Sequence, residues 1–216
     1  MLDKYKVVIF DWDGTIMDSI SHIVQCVQQA AKSNALPVPD EQSVKNIIGL
    51  SLPEAFSTLY GKDKEADFEQ FRENYKAQYI KDDDVNLPLF DYVDTLLTSL
   101  CEQNVKLSVA TGKGRRGLDN AMHRSGLAEF FSYSRTSDEA LSKPAPDMLL
   151  QTARYFNVHP NECIMIGDSI HDLNMANNAG MDSIGVSFGA HSKSILTEAK
   201  PLTILDCYSH ALQWLK

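Results

Sequence analysis

Four strongly apolar residues, Val7-Val8-Ile9-Phe10, run straight into Asp11-Trp12-Asp13-Gly14-Thr15. A short β-branched run without polar alternation is a strand buried on both faces, and strands of that kind belong to parallel sheets covered by helices. The chain must bury one strand completely while delivering a loop full of carboxylates at its far end.

From Ser19 the apolar residues Ile20, Ile23, Val24, Val27, Ala30 and Ala31 recur at helical spacing, with Asp18 or Ser19 placed to cap the segment and Pro37 and Pro39 placed to stop it. Residues 40–79 offer helical material and no strand: Val44, Ile47 and Ile48, then 53–60 after the Gly49-Leu50-Ser51 loop, then a charged segment from Lys64 carrying Phe68, Phe71 and Tyr75. Past Asp82-Asp83-Asp84, read as a solvated hinge, and Pro88, the texture changes to alternating strand and helix. Strands are expected at 105–110, 163–166 and 183–186. Helices are expected at 91–103, 117–125, from Pro146 toward Asn157, at 172–179 closed by Gly180, and at 208–215. The expectation is an α/β protein: a three-layer, Rossmann-like parallel sheet core at 1–15 and 87–216, with an all-helical cap inserted at 16–86.

With 216 residues, 44% of them hydrophobic and 23% charged, the chain can bury a core of that size without disulfides or structural metal. Its formal charge of −9 has the wrong sign for tracking a phosphate polymer, so nucleic acid is not an expected partner. Cys26, Cys101, Cys163 and Cys207 are scattered without metal spacing and read as reduced core thiols. His22, His123, His159, His171, His191 and His210 show no paired metal spacing and read mostly as surface residues. The apolar run at 7–10 is too short for a signal peptide or a membrane span, and no later run is longer, so a cytoplasmic protein with no membrane partner is expected. No oligomeric state follows from the residues.

In open α/β sheets the ligand crevice lies beyond the carboxyl ends of the strands, so chemistry is expected in the turns after Phe10, after Ala110, before Pro144 and after Ile166. Asp11 and Asp13 can divide nucleophilic attack and proton transfer between them. Alone, such a pair is an ordinary turn or helix cap, and its companions decide. Gly167-Asp168-Ser169-Ile170-His171-Asp172 puts a second acidic pair directly after a buried strand. A calcium loop is excluded for both clusters, because Ile16 and Leu173 stand where its glycine is needed. If Asp11, Asp13, Asp168 and Asp172 converge, each pair of like charges costs about 4 kcal/mol at roughly 4 Å even at an effective dielectric of about 20. All-oxygen ligands then call for a hard divalent ion, Mg²⁺. Thr111 offers a hydroxyl and Gly112 a backbone amide for a phosphate oxygen. Lys143, in Lys143-Pro144-Ala145-Pro146, sits on a stiffened backbone.

Four motifs in this order, Asp11 to Thr15, Thr111, Lys143 and Gly167 to Asp172, identify a chain that resembles the haloacid dehalogenase superfamily, in its phosphoglycolate-phosphatase-like branch with a helical cap. The resemblance implies a phosphatase in which Asp11 attacks phosphorus and Asp13 protonates the leaving oxygen, then activates water. It implies that Thr111 and Lys143 hold the phosphate, and that Mg²⁺ is bound by the Asp11 side chain, the Asp13 backbone carbonyl and Asp168. Asp172 would stand behind them, orienting a metal water or Lys143. Asp13 argues against a dehalogenase, which needs no leaving-group acid there. Gly49, Leu50 and Ser51 fall where the cap should reach the substrate, a small phosphorylated metabolite such as phosphoglycolate. Sugar-phosphate members commonly carry arginine where this chain has Leu52, which weighs against a mutase. A phospho-receiver or non-catalytic binding protein is the reading of another class; the order of the acidic motifs and the cap do not fit a receiver. Trp12 reads as packing against the neighbouring strand. Lys113, Arg115 and Arg116 read as solvated helix-start bases with some potential to draw an anionic substrate.

Overall fold

The computed structural model describes residues 4–81 and 87–214, so the acidic run at 82–84 lies outside the described residues. In chain order the elements are β1 (Val7–Phe10), α1 (Ile20–Ser33), α2 (Glu41–Lys45), α3 (Leu52–Tyr60), α4 (Phe68–Lys81) and α5 (Val93–Glu102). They continue with β2 (Lys106–Thr111), α6 (Arg115–Ser125), β3 (Tyr133–Thr136), α7 (Asp147–Tyr155), β4 (Cys163–Gly167), α8 (Ile170–Ala179), β5 (Asp182–Val186), α9 (Lys193–Glu198) and β6 (Thr203–Leu205).

All six strands pair in parallel, in the order β3-β2-β1-β4-β5-β6. The central strand is β1, whose four residues are all buried. Side chains alternate across it as strand geometry requires. Val8 and Phe10 pack with Leu96, Leu97 and Leu100 of α5, whereas Val7 and Ile9 pack with Met148 and Leu149 of α7 and Met175 of α8. Helices thus cover both faces, which makes the three layers. The order reverses on either side of β1, and this is the switch point where doubly wound sheets open a crevice. Register fixes what meets there: Phe10 lies opposite Val109 on one side and Ile166 on the other. The residues just past those positions are therefore delivered to one place.

A separate apolar cluster joins Ile23, Val24 and Val27 of α1 to Phe56 of α3 and Phe71 of α4. Asp40 caps α2 by accepting from Ser43 N at 2.6 Å, and Ser51 caps α3 by accepting from Glu54 N at 3.4 Å, so each short helix starts where a side chain satisfies its free amides.

Several elements differ from the sequence reading. Strands β3 and β6 and helix α9 are additional to it. β3 is an edge strand reading Tyr-Ser-Arg-Thr, with little of the apolar signal that marks a buried strand. The charged segment near Lys64 opens as a 3-10 turn, Lys62–Asp67, before α4 begins, and the chain closes in a 3-10 helix, Tyr208–Trp214, rather than an α-helix. Cys26 and Cys163 are buried thiols as expected, but Cys101 is exposed on the outer side of α5. Most of the histidines lie at the surface as read, and His22 and His191 are the buried ones. Among the described residues, no helix is long and apolar enough to cross a membrane.

Candidate active site

Asp11 continues the β1 ladder by one bond, donating its N–H to Ile166 O at 3.0 Å, and is itself buried. The chain then turns at Gly14, whose φ of +76° an L side chain rarely adopts and where an added Cβ would strike the Asp168 carboxylate. The same carboxylate leaves no room for a Cβ at Gly189. Asp168, just past β4, accepts from Thr15 Oγ1 at 2.9 Å and from Ala190 N at 2.7 Å. Two glycines and two donors thus hold it against the end of β1.

Lys143 precedes a cis-proline bond, and its side chain is fully buried. Its ammonium lies 2.6 Å from Asp172 Oδ1 and 2.9 Å from Asp11 Oδ1. Asp172 does two jobs. Its Oδ2 accepts from Ser169 N at 3.1 Å and Ser169 Oγ at 2.6 Å, closing the capping box of α8, while Oδ1 anchors Lys143.

Carboxylate oxygens of Asp11, Asp168 and Asp172 all come within 4.8 Å of one another. Burial, reinforced by the charges of Asp172 and Asp13 and opposed by Lys143, pushes the Asp11 carboxyl up to about 7. Burial and then the charges of Asp11 and Asp172 push Asp168 well above the usual carboxylate range. Burial alone would lower Lys143, but Asp11 and Asp172 outweigh it and hold the ammonium above its ordinary value. Three buried carboxylates therefore face one ammonium. Three acids sharing one ammonium, two of them driven toward their neutral forms by burial and crowding, with oxygen-only donors, fit a hard divalent cation that would hold them ionised.

Asp13 is not one of the three clustered acids. It accepts from Ser19 Oγ at 2.7 Å and pairs with Lys113 at 3.0 Å. Lys113 is a correction to the sequence reading: only 10% of its side chain is exposed, and it donates to Tyr79 Oη at 2.9 Å with its ammonium 4.6 Å from the Tyr79 ring. Burial would lower it, and Asp13 with Tyr79 raises it instead. Its position two residues beyond Thr111, in a strand-end turn, was the available signal. Arg115 turns away from the cleft to Asp119 and Glu139, at 3.1 and 2.6 Å, and Arg116 stays exposed at the cleft wall.

Asp11, Asp13, Thr111, Gly112 and Gly49 line one cleft of about 510 Å³ between core and α4. Thr111 Oγ1 accepts from Lys113 N at 3.2 Å, which leaves the hydroxyl proton to donate elsewhere. The Gly49 and Leu50 carbonyls press so closely on Gly112 that no Cβ fits there. Leu50 sends its side chain into the apolar cluster of α1, α3 and α4, and Ser51 caps α3 while its N–H donates to Ser142 Oγ at 2.9 Å. Trp12 is fully buried and edge-on to Phe131, as the packing reading expects. His191, missed in the sequence, accepts from Ile170 N at 2.9 Å through Nδ1, which fixes its proton on the other nitrogen. A second hollow, about 600 Å³, lies at the opposite ends of the strands beside Lys6 and Phe156 and contains none of these groups.

A buried acidic cluster at the switch point of a parallel sheet is what comparison with known proteins can place in a family. Residues 8–186 match the family model described as haloacid dehalogenase-like hydrolase, and the chain belongs to that family. It is 31% identical to the probable phosphatase IndB of Dickeya dadantii, over 95% of this chain and 91% of that one. It is 28% identical to the N-acetylmuramic acid 6-phosphate phosphatase of Pseudomonas putida, over 86% and 84%. With the phosphoglycolate phosphatase of Pectobacterium atrosepticum the identity is 26%, over 98% and 92%. The fold matches a solved hydrolase from Pseudomonas syringae with a TM-score of 0.89 at 24% identity, over 97% of each chain. Within its family the chain groups with the phosphatases, and it is an enzyme of the phosphoric monoester hydrolase class.

Proposed function

We propose that the protein is a cytoplasmic, Mg²⁺-dependent phosphatase that hydrolyses a small phosphorylated metabolite through an aspartyl-phosphate on Asp11. The observation that carries this reading is the buried set of Asp11, Asp168 and Asp172 around the single ammonium of Lys143, with Asp11 also lining the cleft shared with Asp13 and Thr111.

The Asp11 carboxylate attacks phosphorus; a P–O bond to Asp11 forms as the bond to the substrate alcohol breaks, and the departing oxygen takes its proton from Asp13. In the second half Asp13 takes a proton from water as that water attacks phosphorus, freeing phosphate and the Asp11 carboxylate. Ser19 and Lys113 fix the position of the Asp13 side chain. In this reading Lys143, the Thr111 hydroxyl and the Gly112 amide hold phosphoryl oxygens as their charge grows. Asp11, the Asp13 carbonyl and Asp168 would hold Mg²⁺, which when bound supplies neutralisation of carboxylate and phosphoryl charge.

In this reading residues 16–86 form the cap over a core of 1–15 and 87–216. Ser51 N bonding Ser142 Oγ, Tyr79 bonding Lys113 and the Asn46 carbonyl bonding His171 Nε2 at 2.9 Å are its closing contacts, and they keep bulk water from the Asp11 ester. The test is hydrolysis of p-nitrophenyl phosphate with Mg²⁺ and with chelator: turnover that survives complete chelation contradicts the metal role, and turnover by Asp11→Asn contradicts the nucleophile.

A further inference from the structure

Away from the catalytic carboxylates the cleft changes character. Ile23, Val27, Leu52 and Phe68 make one wall of it apolar. Several cations line the remainder, but most of their charge is already matched. Arg72 pairs with Glu69 at 2.6 Å and Glu73 at 3.3 Å, Lys76 lies 3.6 Å from Glu73, and Lys113 belongs to Asp13. Arg116 differs. It stands on the first turn of α6, lines the cleft, and has no ion pair among the described residues, while its neighbour Arg115 satisfies two acids. A guanidinium left unmatched in a cleft can bind an oxyanion, because its planar fork offers two parallel hydrogen bonds. The volume of about 510 Å³ falls within the roughly 300–1,000 Å³ that encloses drug-sized ligands, far more than a two-carbon ester fills.

We propose that the substrate carries, besides the ester phosphate, a second anionic group that Arg116 binds, joined to the phosphate by a ring or hydrocarbon body that lies on the Ile23, Leu52 and Phe68 wall. This rests on the phosphatase reading above. Arg116 is then a specificity-determining residue, and a two-carbon phosphoester, which leaves most of the cleft unfilled, is a poor substrate.

The test uses a matched pair, phenyl phosphate and 4-carboxyphenyl phosphate, which differ in the second anion alone, with 2-phosphoglycolate as the short ester. The wild-type protein with Mg²⁺ is expected to favour the carboxylated ester by about tenfold in kcat/KM, the size of one charge-assisted contact. Arg116→Gln is expected to bring that ratio to within about twofold of one. Binding of the two corresponding phosphonates, measured by calorimetry with Mg²⁺, gives the same ratio without turnover. Equal kcat/KM for both esters in the wild type, a ratio unmoved by Arg116→Gln, or preference for 2-phosphoglycolate over both overturns the inference while leaving the phosphatase intact. Absence of hydrolysis with a retained, Arg116-dependent binding ratio overturns the phosphatase reading instead.

Discussion

Lys143 and Asp172 meet at 2.6 Å with neither side chain reaching solvent. The ammonium is the only cation within an ion pair's reach of the Asp11 and Asp172 carboxylates among the described residues, and a buried pair of this kind is stabilising mainly in the sense that half of it cannot be left behind.

Replacing Lys143 by Met therefore leaves Asp11, Asp168 and Asp172 without a cation. The expected loss of stability in metal-free protein is about 3–5 kcal/mol by urea unfolding, part of it recovered on adding Mg²⁺. A loss below about 1 kcal/mol contradicts the crowding of three acids around one ammonium on which the cation argument stands.

Gly189 and Gly117 make a controlled comparison. A Cβ at Gly189 meets the Asp168 side chain, while one at Gly117 meets nothing within 4 Å. Gly189→Ala is expected to cost about 1–3 kcal/mol and to shrink the rise in Tm that Mg²⁺ produces. Gly117→Ala, inside α6, is expected to stabilise by about 0.5–1 kcal/mol and leave the Mg²⁺ effect alone. Similar behaviour of the two variants would mean that Asp168 is not confined as described.

His191 provides a pH signature. Burial, with the neighbouring His171 acting in the same direction and Asp172 against it, lowers its pKa from 6.5 to about 4. The unfolded chain binds a proton near 6.5 that the folded protein refuses until about 4, so this contribution is whole above 6.5 and is lost as pH falls toward 4. Between about pH 7.5 and pH 5 the loss is about 2 kcal/mol, and His191→Gln flattens that part of the profile. Urea midpoints at the two pH values for both proteins measure it; parallel profiles would show that His191 takes up its proton normally when folded.

How much of this was readable in the residues follows from burial. β1 and β4 are apolar throughout because both of their faces are covered, and that uninterrupted signal located Asp11 and Asp168 at once. β3 and β6 lie at the two edges of the sheet, are three or four residues long and only partly buried, so their sequences carry little pattern. Lys113 was legible as a base at a helix start. Its burial was not, because it depends on Tyr79, 34 residues earlier, folding over it. The Asp172 contact with Lys143 is one of the two roles that the family resemblance implied; the other oxygen of the same carboxylate accepts from Ser169 and closes the capping box of α8. Arg115 and Arg116 are adjacent and chemically identical, and only the placement of Glu139 and Asp119 separates the structural one from the one facing the cleft.

The central claim is that Asp11 becomes phosphorylated during turnover. Rapid quenching into acid followed by mass spectrometry of the peptide containing Asp11 tests it directly. With p-nitrophenyl phosphate and Mg²⁺ the expected result is one phosphoryl group on Asp11, discharged by hydroxylamine and absent from Asp11→Asn. Sustained hydrolysis with the phosphoryl group on another side chain, or full activity in Asp11→Asn, would contradict it.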